Sequence, residues 1–139
     1  MNTTDTQEMR RRIEGARVAR LATVARDGRP HIVPITFVAT EDALYFAVDQ
    51  KPKRSANLQR LRNIEANPAV SVLIDHYEDD WTRLWWVRVD GRARLVREGA
   101  ELEIAITLLS HRYPQYRSAP PVGPAVAIEI ERMTGWSAW

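Results

Sequence analysis

From Leu84 to Arg97 the chain alternates without a break. Trp85, Val87, Val89, Ala93 and Leu95 fall at one parity, and Trp86, Arg88, Asp90, Arg92 and Arg94 at the other. Successive side chains of an extended strand point to opposite faces, so this segment must be a long strand with one face in a core and the other outside it. A helix would scatter the same residues around its circumference. The strand also carries two members of a tryptophan cluster, Trp81, Trp85 and Trp86, in a chain with five tryptophans. Such a cluster can fill a core, seal a subunit interface or stack on a flat cofactor. Trp85 shares the parity of Val87 and Val89 and is expected in the core. Trp86 shares its parity with arginines, which suits the wall of a groove or interface.

The rest of the chain supplies partners for that strand. "VARLATVARDGRPHIVPITFVA" reads as two β runs joined at Asp27-Gly28, a dipeptide that favours a tight hairpin, and "ALYFAVD" follows the polar turn "TED" as a third strand. "AVSVLIDHY" precedes the long strand, and "AVAIEIERM" reads as the last strand. Helical spacing marks residues 7 to 16, a segment around Leu58, Leu61 and Ile64 that ends at Asn67-Pro68, and a third segment with apolar residues at 102, 105, 106 and 109. "PQYRSAPPVGP" reads as a loop. Strands joined by tight turns, with no regular βα alternation, predict a mainly β, α+β domain: a six-stranded antiparallel barrel with peripheral helices. It spans residues 1–139 as one unit, with residues 1–6 expected to be flexible.

Composition narrows the function classes. A chain of 139 residues, 45% hydrophobic and 27% charged, has the balance of a globular domain. No apolar run reaches the roughly 20 residues a membrane span needs, and no basic-then-apolar leader opens the chain, so a cytoplasmic location is expected. The absence of cysteine excludes disulfides, thiolate metal sites and cysteine nucleophiles. A net charge of +2 without a basic tail argues against nucleic-acid binding. Neither G-x-G-x-x-G, G-x-x-x-x-G-K nor G-x-S-x-G is present. His31, His76 and His111 stand apart from one another, and the first two read as polar residues near strand ends. The acidic run holding Asp75, Glu78, Asp79 and Asp80 lacks calcium-loop spacing and reads as a solvated loop. With no nucleophile, metal set or acid–base dyad in view, any catalysis would depend on a borrowed cofactor.

Two irregularities suggest where such a group would sit. Of 20 cationic residues only two are lysine, and both fall in "KPKR", Lys51 to Arg54, just before the second helix. Lys51, Lys53 and Arg54 at a helix N-terminus would make an anion site, or else a solvated basic turn. Pro34 interrupts a strand and shares a face with Thr36. The pair would border a slot, or mark an ordinary sheet edge.

Together, "ARLATVARDGRPHIVPITF", "LYFAVDQKPKR", "NPAVSVLIDHYEDDW" and "WWVRVDGRARLV" resemble the split β-barrel flavin and deazaflavin reductases of the pyridoxamine-phosphate-oxidase-like superfamily, in particular the branch of coenzyme F420-dependent oxidoreductases. The resemblance runs over nearly the whole chain. It implies an FMN-binding-type split barrel and a homodimer whose two cofactor sites lie at the subunit interface. It also implies ring contacts from Val33, Pro34, Ile35 and Thr36, and a phosphate and acidic-tail site at Lys51, Lys53 and Arg54. A border from the second chain would come from Trp81 and Thr82, to which position adds Arg83 and Trp86. The expected activity is hydride transfer between coenzyme F420 and a small organic acceptor. The alternatives are an FMN enzyme of the same fold, or a protein that binds flavin, haem or another flat ligand without turnover. A dimer whose tryptophans only join the subunits is the plainest reading. No pyridoxal-phosphate substrate motif is present, so vitamin oxidation is not implied.

Overall fold

In the computed structural model, residues 2–3, 5–48 and 56–138 are described. The strands are β1 (Asn2–Thr3), β2 (Ala19–Val24), β3 (Pro30–Ile35), β4 (Val38–Ala39), β5 (Ala43–Ala47), β6 (Ala69–His76), β7 (Trp85–Val96) and β8 (Ala125–Ser137). The helices are α1 (Thr6–Gly15), α2 (Ala56–Ala66), α3 (Ala100–Arg112) and α4 (Pro114–Ser118), with a single 3-10 turn over Trp81–Arg83. All pairings are antiparallel, along the path β3-β2-β6-β7-β8-β5-β4, and β1 pairs with β8 off this path. The fold is a mainly β split barrel with helices around it. The path has seven strands, not six, because the expected second strand is divided into β3 and β4 at Thr36 and Phe37.

That division closes the barrel. β3 and β4 stand at opposite ends of the hydrogen-bonded path yet belong to one run of chain, so the sheet curls until its two ends meet. Phe37, at the break, takes its main-chain partner from outside the sheet. Its N–H donates to the Tyr113 hydroxyl at 3.0 Å, and that hydroxyl in turn faces the carbonyls of Phe37 and Arg17, each at 2.9 Å. Buried main-chain groups left without partners would cost about 1–3 kcal/mol each, so this one side chain fastens the seam. Tyr113 closes α3 and directly precedes the segment expected to be a loop. The first part of that loop is α4, started by Pro114 at a position where a missing N–H costs nothing.

The interior is filled by Leu21, Ile35, Phe37, Leu44, Phe46, Val72, Ile74, Val87, Val89, Val126 and Ile128, with Met9 and Ile13 of α1 and Leu61 and Ile64 of α2 covering it. Asp5 caps α1, accepting a bond from the Glu8 N–H at 2.8 Å. The polar pair Asn63 and Thr23 is also buried, and Asn63 donates to the threonine hydroxyl at 3.0 Å. At Asp27-Gly28 the chain turns as expected, with Gly28 at φ 90°.

β7 and β8 are the longest strands and slip by one residue at Gly91. Asp90 faces Arg132 and Gly91 faces Ile130, which leaves Glu131 as the extra residue of a bulge. A Cβ at Gly91 would strike the Glu129 carbonyl oxygen and crowd Ile128. Only glycine admits this approach. The bulge also exchanges the two faces of β8: Val126, Ile128 and Ile130 point inward before it, and Met133, Gly135 and Ser137 after it. The expected last strand, ending at Met133, is therefore four residues short of the observed Ser137. Among the described residues no helix is long and apolar enough to cross a membrane.

Candidate functional site

Helices cover only part of the sheet's outer face. Row by row, Pro34 of β3 faces Arg20 of β2, Arg20 faces Leu73 of β6, Leu73 faces Arg88 of β7, and Arg88 faces Thr134 of β8. In the adjoining row Asp75 faces Trp86, and Trp86 faces Trp136. Large apolar side chains remain in the open on or beside this face: Ile32 is 67% exposed, Leu73 38%, Tyr77 71% and Trp81 67%. Its charges are matched internally. Arg20 lies 3.6 Å from Asp75, Arg88 lies 3.4 Å from Asp90, and the Ser71 hydroxyl donates to Asp90 at 2.6 Å.

At the end of the face where β6, β7 and β8 run out, a groove of about 320 Å³ opens. Trp85, Trp86, Trp136, Tyr77, Leu73 and Leu84 wall it, and Asp75, His76 and Arg88 bring polar groups to it. The Arg88 guanidinium stands 6.0 Å from the centre of the Trp86 ring. A second, more polar cavity of about 460 Å³ adjoins it, bounded by Arg12, Thr82, Arg83 and Ser137, and shares His76 and Trp85 with the first. Trp85 thus forms the partition. It packs against the core as expected but is only half-buried, with the Arg12 guanidinium 4.8 Å from its ring and the His76 imidazole stacked at 6.3 Å and 21°.

Around His76 the polar groups are tied to one another. Its Nε2 makes a short contact with the Glu78 carboxylate, to which Arg83 donates from Nε at 3.1 Å. The His76 hydrogen bond, aided by the charge of Arg83, holds the Glu78 carboxyl below its ordinary range. Asp80 is lowered in the same way by the hydroxyl and N–H of Thr82, at 2.7 and 3.1 Å. These bonds shape the turn from β6 into β7.

The expected site residues are thus distributed unevenly. Trp86 walls the aromatic groove, and Thr82 and Arg83 border the polar cavity. Trp81, on the 3-10 turn, is exposed beside them and lines neither. Val33 and Ile35 point inward, Ile35 into the core, whereas Pro34 and Thr36 are exposed on the outer side. β3 pairs only with β2, so the missing N–H of Pro34 falls on a sheet edge, and Thr36 lies 3.1 Å from the Tyr116 hydroxyl. Two strand spacings, about 10 Å, separate Pro34 from Leu73, so within one chain the β3 residues and the groove do not meet. Lys51, Lys53 and Arg54 lie outside the described residues.

Sequence reasoning missed His76 and Trp136 as groove residues. The signal for His76 was available: strands joined across the acidic loop pair as a hairpin, which sets His76 opposite Trp85. Trp136 was hidden by the bulge, which breaks the alternation on which its strand would be recognised.

Comparison with known proteins now gives the fold a lineage. The family model described as pyridoxamine 5'-phosphate oxidase matches residues 5–137. The chain belongs to that family. A conserved hypothetical protein of Mycobacterium tuberculosis superposes with a TM-score of 0.79 at 22% identity, over 97% of this chain and 86% of that one. An FAD-binding protein of Mesorhizobium loti gives 0.70 at 25% identity, over 96% and 93%. HutZ, the haem storage protein of Vibrio cholerae, gives 0.71 at 20% identity, over 92% of each chain. No curated protein matches the sequence significantly. Members of one fold here carry different ligands, so the groove itself must argue for its occupant.

Its shape suits a flat ring system. Aromatic walls around about 320 Å³, with a carboxylate, an imidazole and a guanidinium among the lining groups, match the mostly apolar, sparsely polar character of cofactor pockets.

Proposed function

We propose that this chain is a homodimeric oxidoreductase that binds a flavin-type cofactor on its bare sheet face, with the deazaflavin coenzyme F420 as first choice and FMN as the alternative. The observation that carries this reading is the tryptophan groove, an aromatic slot at the end of a surface that, among the described residues, no helix covers. A second copy related by a two-fold axis would shield Ile32 and Leu73 and bring β3 of one subunit toward the groove of the other. Each site would then draw Pro34 and Thr36 from one chain and Trp86, Thr82 and Arg83 from its partner. Lys51, Lys53 and Arg54 would hold the phosphate and, for the deazaflavin, the acidic tail, which is why the lysine pair favours the more anionic cofactor.

When bound in its reduced form, such a cofactor supplies a hydride. The chain's contribution is to hold ring and acceptor face to face, to exclude water with its tryptophans, and to neutralise the anionic tail. Hydride transfer to a small organic acceptor is therefore the expected reaction. Storage of a flat ligand without turnover is the second reading, supported by the likeness to a haem storage protein.

Titration with coenzyme F420, FMN, FAD and haemin, followed by tryptophan fluorescence, tests the choice of cofactor. Light scattering with and without ligand tests the dimer, and reduced cofactor mixed with quinone, enone and nitro acceptors tests turnover. Deazaflavin binding that weakens at least tenfold in the Lys51→Ala/Lys53→Ala double variant is the expected result. Tight FMN binding without a deazaflavin response would replace the first choice, and haemin binding alone would overturn the oxidoreductase.

A further inference from the structure

We infer that His76 is the proton donor of this site, held in place by Glu78. The inference rests on the functional reading above and extends it, because hydride transfer leaves the acceptor one proton short. A hydride delivered to an enone carbon or a quinone leaves a negative charge on oxygen. One proton must arrive for a neutral product to depart.

Among the described residues His76 is the one imidazole lining the groove, and it lines the polar cavity as well. Imidazole is the side chain whose ordinary titration falls between about pH 5 and 8, the range in which a group can both give and regain a proton. Its placement has the form of an oriented acid. Nε2 is occupied by Glu78, and Glu78 is itself held by Arg83, so the ring is fixed with Nδ1 as the remaining nitrogen. One face of the ring is stacked on Trp85, which stops it rotating freely. The Glu78 carboxyl is itself held below its ordinary range by the His76 hydrogen bond and the charge of Arg83. The other charged groups around the ring are Arg83 from the 3-10 turn, Arg12 from α1 on Trp85, Asp75 from β6 and Arg88 from β7. Asp75 is in an ion pair with Arg20, and Tyr77, whose phenol also lines the groove, is 71% exposed.

The step balances simply. With a reduced flavin-type cofactor bound, a hydride would be supplied to the acceptor carbon, the electron pair displaced in the acceptor would move to its oxygen, and the proton on Nδ1 of the imidazolium would transfer to that oxygen. Neutral His76 keeps its Nε2 proton on Glu78 and takes a new proton from water. One hydride and one proton are consumed per acceptor reduced.

The test begins with the ligand-free protein. Imidazolium quenches a stacked indole, so tryptophan fluorescence of the wild type is expected to rise through the imidazole range as pH increases, and His76→Gln to remove that step. A wild type without this titration would overturn the proposal while leaving the cofactor reading intact. In the loaded enzyme, at saturating cofactor, His76→Gln is expected to slow turnover about 100-fold and to abolish the fall in rate toward alkaline pH. Glu78→Gln, which keeps the imidazole but weakens the contact that orients it, is expected to give a smaller loss of rate than His76→Gln. Equal rates and pH profiles in His76→Gln and wild type would overturn the assignment. A wild type that binds neither flavin nor deazaflavin would overturn the functional reading beneath it.

Discussion

Two stretches of the same strand turn their outer faces to different neighbours. Before its bulge, β8 presents Ala125 and Ala127, which pack with Ala105 of α3 and are fully buried. After the bulge it presents Arg132, Thr134 and Trp136, which no helix covers among the described residues. Where the helix lies close, the strand has residues too small to hold it away. Where it does not, the strand carries Trp136 next to Trp86 of β7, beside the Arg88–Asp90 pair of that neighbouring strand. One contact is completed within the chain, and the other is the face on which the proposed function places ligand and second subunit.

The largest effect should come from breaking the completed contact. Ala105→Arg would bury an unpaired charge against β8 and is expected to cost about 3–5 kcal/mol, read as a lower midpoint in urea unfolding. Gly91→Ala attacks the bulge that separates the two stretches. With the Glu129 carbonyl in the way, about 1–3 kcal/mol is expected, together with loss of the groove at the far end of β8. On the bare stretch the outcome inverts. Leu73→Arg should leave the stability of the monomer within about 0.5 kcal/mol of wild type, while light scattering shows loss of the proposed dimer. The smallest effect concerns Glu101 of α3, which accepts two bonds from Arg94 at 2.8 Å and one from the Tyr45 hydroxyl at 2.8 Å. The Arg94 bonds, then the Tyr45 bond, lower its carboxyl in the folded state, so its contribution is present above the unfolded carboxyl range and is lost as pH falls through the folded value. Because the pair is near the surface, Glu101→Gln should cost under about 1 kcal/mol at neutral pH and flatten the acid side of a melting-temperature profile.

The same contrast explains what could be read from the sequence. β7 alternates strictly, and both its faces were legible: Val87, Val89 and Ala93 are buried on the inner side, and Trp86 and Arg88 stand on the outer side. β8 changes parity at Glu131, so its second half looked irregular and Trp136 went unassigned. β3 and β4 appeared as one strand because what divides them is remote: the Tyr113 hydroxyl that takes the Phe37 N–H comes from 76 residues along the chain. The aromatic half of the site could be approached from pattern alone, as Trp86 was. His76 needed the register of β6 against β7, a relation between strands that periodicity within either one does not reveal.

The seam fastened by Tyr113 also bears on how the protein comes off the ribosome. β8 belongs between β7 and β5, and the clasp on Phe37 lies near the end of α3, so a nascent chain that has made everything through β7 can neither fill the middle of its sheet nor shut it. Until α3 and β8 are synthesised, the emerging chain holds an open sheet with exposed edges, the state most prone to joining another chain. Tyr113 therefore sets a time as well as a place: closure waits until α3 and β8 have both been made.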